Sequence, residues 1–470
     1  MSLSIRLLLT ALIAFALVAA TALYVGYRSG AIAGQPVLEV ATTGNLRDLL
    51  PTHDSPGSAI ADLTLRRLEV EYYKPIAPET PLDGERDALR TFLHSKKIGA
   101  ATLPAQTANG DEVNDGAHAA ALLAYAQQHY GNALGTGGDD DLTNAALRGI
   151  MTSVRDPYTV YLSPQEIQGL NESLSGGNFG GIGVYIYQLK DGRIIVAPIE
   201  HMPAAKVGMK PGEIVDTVDG KPVRGLPLDH VETMIRGEAG TVVHLRAYPY
   251  KNPSAERSYA IVREIILVPT VRAKMEGDID YIRLADFGKT SGDEMRKALL
   301  EGKAKGARGY ILDFRDNGGG LLDAAVAISS LFIPQGTIVS TIRRDGGRTT
   351  DEALGDAIDG LHPLVVLVNK YTASASEITA GALEDYHLAT LVGTRTFGKG
   401  VVQTIFALPE QGGALKITTA RYLTPAGRDI QHHGIEPNIV VNQEPNPSLV
   451  DTPADKQLAA AKAHLRQLIR

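Results

Sequence analysis

The sequence predicts a multi-domain α/β protein, and three features of its 470 residues carry that expectation. Residues 7–27 form an uncharged apolar run, residues 171–262 break into short β-like runs and turns, and residues 264–442 alternate between strands and helices. Strands that alternate with amphipathic helices indicate an α/β core with the site at its strand ends.

The apolar run LLLTALIAFALVAATALYVGY lies between Arg6 and Arg28. At about 1.5 Å per residue it matches a bilayer core of roughly 30 Å, so residues 1–28 are expected to be a transmembrane anchor. A cleaved signal peptide has a shorter apolar region, typically ~7–15 residues. The small residues Val18-Ala19-Ala20 and Ala20-Thr21-Ala22 keep cleavage open, and a buried soluble helix is a third reading. With either export reading the rest of the chain lies on the periplasmic or extracytoplasmic side, in the cell envelope.

Residues 29–165 are expected to form a linker and a mainly helical region. IADLTLRRLEVEYY and AHAAALLAYAQQHY carry apolar residues at helical spacing. Asp139 to Asp141 could form a metal cluster, but carboxylates are favoured at a helix N-terminus, so they are expected to cap and charge the helix LTNAALRGIMTSV. In residues 171–262, GGIGVYIY, RIIVAPI, EIVDTVDGKPV and TVVHLRAYPY read as strands and turns, and LDHVETMIRG as a helix. In residues 264–442, IDYIRLADF, GYILDFR and PLVVLVNK read as strands. SGDEMRKALLEGKAKG, with Ser291 and Gly306 as caps, LLDAAVAISSLF and EITAGALEDY read as helices. Residues 443–470 form an extension ending in the amphipathic helix QLAAAKAHLRQLI.

Composition narrows the chemistry. The formal net charge is −7 and no long basic run is present, so no nucleic-acid footprint is seen. The absence of cysteine removes thiol nucleophiles, disulfides and cysteine-ligated metals. His432 and His433 would point to opposite faces of a strand, and there is no H-E-x-x-H, so no metal site and no cofactor is expected. No G-x-S-x-G marks a nucleophile elbow, which weighs against a Ser-His-Asp triad.

Three segments carry candidate chemistry. In VVLVNKYTASASEITAGALEDY a buried strand hands over to a helix near Ser374. Free N–H groups and the positive end of the helix dipole there support an alkoxide-like nucleophile and an oxyanion. Ser374 to Glu377 also matches a capping box, which needs no catalysis. In TRTFGKGVVQT, Lys399 lies between two glycines, and Gln403 four residues on would share its face in an extended segment. Burial would lower the lysine pKa and free its amine to act as a base; a solvated hairpin lysine is the alternative. In DFRDNGGGLLDAA, glycines after a buried strand let backbone N–H groups approach a carbonyl; the segment lacks the G-K-[ST] ending of a phosphate loop.

These segments, DFRDNGGG, TASASE and FGKG in chain order, resemble the carboxyl-terminal processing protease family, also called tail-specific proteases. NFGGIGVYI, MPAAKVGMKPGEIVDTVDGKPV and MIRGEAGTVVHL resemble the PDZ domain embedded in those proteases, LRGIMTSVRDPYTVYLSPQE the helical stretch before it, and GRDIQHHGIEPNIVV the closing strand region. The likeness covers about residues 142 to 442. It implies a PDZ-like domain at 171–262 and an α/β serine peptidase core at 264–442. It also implies Ser374 as nucleophile, Lys399 as general base, Gln403 as the residue that orients the lysine, and backbone N–H groups of Ala375 and of Gly319 or Gly320 as the oxyanion hole. The departures are Thr372 for the first serine of the motif, Gly212-Glu213 for Gly-Asp, and Pro437-Asn438 for Pro-Asp.

A glycine-rich loop before a strand suits a free carboxylate, with the peptide adding to the sheet edge. Gly181, Ile182, Gly183 and Val184 are the candidate loop, and Arg236 resembles a family arginine that couples binding to activity, a surface arginine at a helix end being the alternative. The implied activity is cleavage of exported or envelope proteins near their C-termini. The implied partners are substrates with flexible tails, the membrane, and a homo-oligomer or adaptor protein. The competing expectation is a non-catalytic membrane-anchored PDZ scaffold with a degenerate core.

Overall fold

The computed structural model describes residues 55–99, 101–174, 179–189, 191–199, 201–226, 228–266, 269–408, 413–443 and 450–469. The expected anchor at 1–28 lies outside them, and among the described residues no helix is long and apolar enough to cross a membrane.

Four helices come first: α1 (Pro56–Glu71), α2 (Glu79–Ser95), α3 (Glu112–Leu134) and α4 (Gly138–Thr152). Ser55 caps α1 through its Oγ, which accepts from Ser58 N at 3.1 Å, and Asp111 Oδ1 caps α3 by accepting from Val113 N and Asn114 N. Such caps satisfy N–H groups that lack an intrahelical acceptor. α2 goes beyond the sequence reading, because Pro81 and Gly84 interrupt its pattern. Gly84 is there for packing: a Cβ on it would lie 2.6 Å from Gly149 O of α4. Asp139, Asp140 and Asp141 occupy the first turn of α4, where they charge the helix start, but the N-cap is Gly137 and no side chain makes a capping bond. Among the described residues no group of three or more His, Asp or Glu is placed to hold a metal.

The middle of the chain holds β1 (Val160–Leu162), α5 (Pro164–Leu174), β2 (Phe179–Gly181), β3 (Val184–Gln188), β4 (Ile194–Pro198), α6 (Pro203–Lys206), β5 (Glu213–Val218), β6 (Lys221–Pro222), α7 (Leu228–Ile235), β7 (Val242–Pro249), β8 (Arg257–Val262) and β9 (Glu264–Ile266). An antiparallel sheet runs β3-β4-β5-β7-β8, with β6 on β5, while β2 pairs β9. The turn between β5 and β6 holds Asp219 at φ 46° and Gly220 at φ 76°, the paired left-handed conformation that suits a tight hairpin. Strand β7 buries Val243, Leu245 and Ala247 and turns the residues between them outward, as a half-covered strand should. This unit has its own core around Ile194, Val215, Val231 and Ile261.

The remainder holds β10 (Val271–Glu276), β11 (Ile279–Leu284), α8 (Ser291–Ala304), β12 (Gly309–Asp313), α9 (Leu322–Ser330), β13 (Thr337–Arg343), β14 (Arg348–Glu352), β15 (Leu364–Val368), α10 (Ala375–Asp385), β16 (Ala389–Gly393), β17 (Val401–Leu408), β18 (Gly413–Leu423), β19 (Ile439–Val440) and α11 (Lys456–Leu468). A six-stranded sheet runs β10-β11-β12-β15-β16-β19, parallel from β11 onward. Both faces are covered, in keeping with central strands β12 and β15 that are apolar nearly throughout and buried at every position. Leu312, Leu364 and Val366 face a core with α8, α9 and α10; Ile311, Val365 and Leu367 face Leu458, Ala461 and Leu465 of α11. A second sheet runs β1-β18-β13-β14 with β17 on β18, and Leu408, Leu415 and Ile417 from it complete the core of the N-terminal helices.

Two local expectations are corrected or extended. Ser291 does not cap α8: Thr290 holds the cap position, while Ser291 Oγ donates to Asp286 O at 2.9 Å and accepts from Gly288 N at 2.8 Å, stitching the preceding loop. Arg315, just past β12, is buried and forked onto two carboxylates. It reaches Asp313 Oδ2 at 2.7 Å and Asp455, the N-cap of α11, at 2.8 Å through two bonds. The strand end that leads into the glycine loop is thereby pinned to the terminal helix.

Candidate active site

All five residues of β15 are buried, so the chain must surface at its end, and it does so through a stapled turn. Asn369 Oδ1 accepts from Asp316 N at 3.1 Å and Tyr371 N at 3.0 Å. Thr372 Oγ1 donates to Phe314 O at 2.9 Å and accepts from Asn369 N at 2.9 Å. The threonine that departs from the serine pattern is therefore used to clamp the turn to the end of β12. Ser374 follows at φ 57° and ψ −119°, a strained conformation for a side-chain-bearing residue.

Glu377 sits in the first turn of α10 and is buried. Its Oε2 accepts from Ser374 N at 2.9 Å and from Lys399 N at 2.9 Å; its Oε1 accepts from Gly398 N at 2.8 Å and Thr396 Oγ1 at 2.5 Å. One carboxylate thus holds the serine turn and the glycine–lysine loop within two hydrogen-bond lengths of each other. Burial raises its pKa, and these four donors oppose the rise. The carboxylate of the expected capping box also reaches the second loop, so capping and site assembly are the same feature.

Tyr422 of β18 adds a second tie. Its hydroxyl lies 2.6 Å from Lys399 O and 3.2 Å from Ser374 O, one proton shared between two carbonyls. Burial holds its pKa far above the usual phenol value, so it stays a donor.

Lys399 Nζ rests 4.6 Å from the centroid of the Tyr158 ring. Desolvation and the nearby Lys416 lower its pKa to about 8, against the opposing pull of Asp156 and Glu377. Gln403 does not hydrogen-bond the lysine. Its amide nitrogen lies 3.4 Å from Val401 O and 3.4 Å from Thr418 Oγ1. The expected contact between the two side chains is not made, and the extended run between them is interrupted: β17 begins only at Val401 and its register shifts between Val402 and Gln403. Such a bulge re-aims the side chain. Thr418 Oγ1 donates in turn to Asp156 Oδ2 at 2.5 Å.

Ala375 and Gly319 are brought together beside Ser374, and Gly320, the next residue, packs against Phe287 O. A Cβ on Gly319 would lie 2.8 Å from Ser374 Cβ and 2.9 Å from Ala375 N, so the close approach requires glycine there, at φ 102°. Gly319 N–H is engaged by Asn317 Oδ1 at 2.9 Å, whereas Ala375 N–H and Gly320 N–H have no acceptor among the described residues.

Glu377, Tyr422, Tyr158, Asp156 and Lys416 were not singled out as site residues from sequence. Glu377 alone carried a signal, as the last position of the capping box. Asp156 and Tyr158 lie in the segment LRGIMTSVRDPYTVYLSPQE, which carried the family likeness without pointing to a role in the site, and Tyr422 and Lys416 lie in a strand with no motif of its own.

Gly181, Ile182, Gly183, Val184 and Arg236 line one cleft of about 280 Å3, between the β2–β3 turn and α7. Gly183 stands at φ 68°, and a Cβ there would meet Met202 Cβ at 2.3 Å. Ile182, Leu228, Ile235 and Ile266 make the cleft apolar, and Arg236 pairs with Glu232 on its rim.

Comparison with known proteins gives the following. Residues 278–441 match the model of peptidase family S41, and residues 194–248 match a PDZ domain. A carboxy-terminal-processing protease of Bartonella bacilliformis is 40% identical over 311 residues, 65% of this chain and 70% of that protein. A probable CtpA-like serine protease of Staphylococcus epidermidis is 36% identical over 321 residues, 67% of this chain but 64% of that protein. The solved photosystem II D1 C-terminal processing protease is 27% identical, covering 83% of this chain and 94% of its own, with a TM-score of 0.46.

Proposed function

The chain belongs to peptidase family S41, among the carboxy-terminal-processing serine proteases, and from that premise we propose that Ser374 is its nucleophile and Lys399 its general base. The observation that carries this reading is the shared Glu377 oxygen, which accepts from the main-chain nitrogens of both residues. A lysine with its pKa lowered to about 8 supplies a neutral amine near physiological pH. That amine takes the Ser374 hydroxyl proton as Oγ attacks the scissile carbonyl. The tetrahedral oxyanion is met by N–H groups of Ala375 and Gly320, with Gly319 joining if it exchanges Asn317 for the substrate. The protonated lysine then gives its proton to the leaving amine, and a water activated by the same lysine hydrolyses the acyl-enzyme.

The substrates in this reading are exported or envelope proteins cut near their C-termini. The PDZ cleft receives the tail, its apolar floor taking a side chain and the Gly181–Val184 loop taking the free carboxylate. The apolar run at 7–27 would anchor the chain and leave its catalytic part on the exported side of the membrane.

The test is incubation of the purified chain with unstructured exported proteins, with products read by mass. Wild type is expected to cut near the C-terminus, and Ser374→Ala and Lys399→Ala each to lose cleavage while keeping the wild-type circular dichroism and melting profile. Cleavage that survives in either folded variant removes the dyad.

A further inference from the structure

We propose a second carboxylate-reading site beside the dyad, in the cleft of about 540 Å3 lined by Tyr72, Tyr73, Lys74, Arg155, Tyr158 and His432. The proposal rests on the peptidase reading above and adds a substrate preference to it. The cleft begins at the base itself, because Tyr158 is the ring that carries Lys399 Nζ. Its walls are fixed to the same scaffold: Tyr73 N donates to Thr418 O at 2.9 Å, and His432 N donates to Gly398 O at 2.9 Å, next to Lys399. A polypeptide with its scissile carbonyl at Ser374 passes close to Lys399, so the chain on one side of the cut enters here.

The charge in this cleft is unbalanced. Among the described residues neither Lys74 nor Arg155 has a carboxylate partner, and Lys74 Nζ lies instead over the Tyr73 ring at 4.8 Å. The one acid in the lining, Asp156, is occupied. Its Oδ1 accepts from Tyr158 N at 3.0 Å, and its Oδ2 accepts from Thr159 Oγ1 at 2.7 Å and Thr418 Oγ1 at 2.5 Å. Two cations without a carboxylate partner among the described residues, Lys74 over the Tyr73 ring and Arg155 in the same lining, form a receptor for a carboxylate, within a chain whose formal charge is −7. Arg155 and His432 also stand at φ 54° and φ 63°, where glycine would be easier, so the backbone holds both in a strained conformation at the rim. The carboxylate could come from an Asp or Glu side chain near the cut or from the free end of a short tail, and both present the same group.

The experiment uses the full chain with a set of unstructured fluorogenic peptides. One member is neutral and amidated, one carries Asp near the cut with an amidated end, its control carries Asn, and one is neutral with a free acid end. The expected result is a higher kcat/KM for a carboxylate-bearing peptide than for its control. Arg155→Ala should cut that ratio about 3- to 5-fold and the Lys74→Ala/Arg155→Ala pair about 10-fold, with the loss in KM and a smaller ratio at high salt. The Asp/Asn and acid/amide arms separate the two sources, and the PDZ cleft, unaltered in these variants, cancels from the comparison. The same peptides are titrated by fluorescence anisotropy onto Ser374→Ala protein with and without the two changes, so a peptide that is not cut still reports binding. Equal ratios and equal affinities in the double variant and its parent overturn the proposal and leave the dyad reading intact. Absence of any cleavage by wild type counts against the dyad reading, and the titration still decides the cleft.

Discussion

The side-chain nitrogen of Lys399 faces the ring of Tyr158, 4.6 Å from its centroid, with no carboxylate among the described residues in ion-pair contact. An aromatic face tolerates a cation without neutralising it. The lysine is therefore housed in both protonation states, and burial tilts the balance toward the amine.

That balance gives a pH dependence. The active form is the neutral amine, so activity is present above the lysine pKa of about 8 and lost as pH falls through it. Below that point kcat/KM should drop about tenfold per pH unit. Removing the like charge in Lys416→Gln should move the midpoint upward, and Lys399→Arg, fixed in its charged form, should be inactive. A pH–rate profile on an unstructured peptide checks all three, and an unshifted midpoint in Lys416→Gln would contradict the stated cause.

Glu377 holds four donors, two of them from the proposed nucleophile and base. Glu377→Ala leaves these donors without their acceptor and should cost about 2–5 kcal/mol of stability with loss of activity. Glu377→Gln keeps the shape but provides one accepting oxygen in place of two. It should melt closer to wild type yet show a displaced pH–rate midpoint. Thermal melts and pH profiles of the pair separate a positioning role from general loosening.

Arg315 is 2% exposed and paired to Asp313 and Asp455. Arg315→Ala would leave two buried carboxylates unmatched, at a cost of about 3–5 kcal/mol. The damage should appear first at α11, as faster proteolytic trimming of the C-terminal residues. Urea unfolding and limited proteolysis measure the two effects.

Gly183 has no room for a side chain and stands at φ 68°. Gly183→Ala should cost about 1–3 kcal/mol locally and weaken binding of a peptide with a free C-terminus. Short fluorogenic peptides that need only the dyad should be cut at near the wild-type rate. Isothermal titration with a tail peptide, set beside a kinetic assay, tests this.

Much of this architecture was legible in sequence. The short apolar stretches in GYILDFR and PLVVLVNK read as strands covered on both faces, and the periodic EITAGALEDY as a helix beside them, and so they are. Ser374 and Lys399 stood out because glycines and small residues crowd around them. What stayed hidden was whatever lacks a local pattern. Tyr158, Asp156 and Tyr422 reach the site from remote segments. The Val402/Gln403 bulge broke an alternation that the spacing implied, and α2 was obscured by a proline and a glycine that serve helix packing.

The Glu377 carboxylate acts as a shared rivet between two loops. A control device that parted those loops would first have to strip a buried carboxylate of three of its four donors, which is a steep barrier for a binding signal to climb. Any gating that this enzyme possesses is therefore cheapest at the swing of the long lysine side chain and at the cleft bordered by Tyr158 beside it, with the riveted frame left standing.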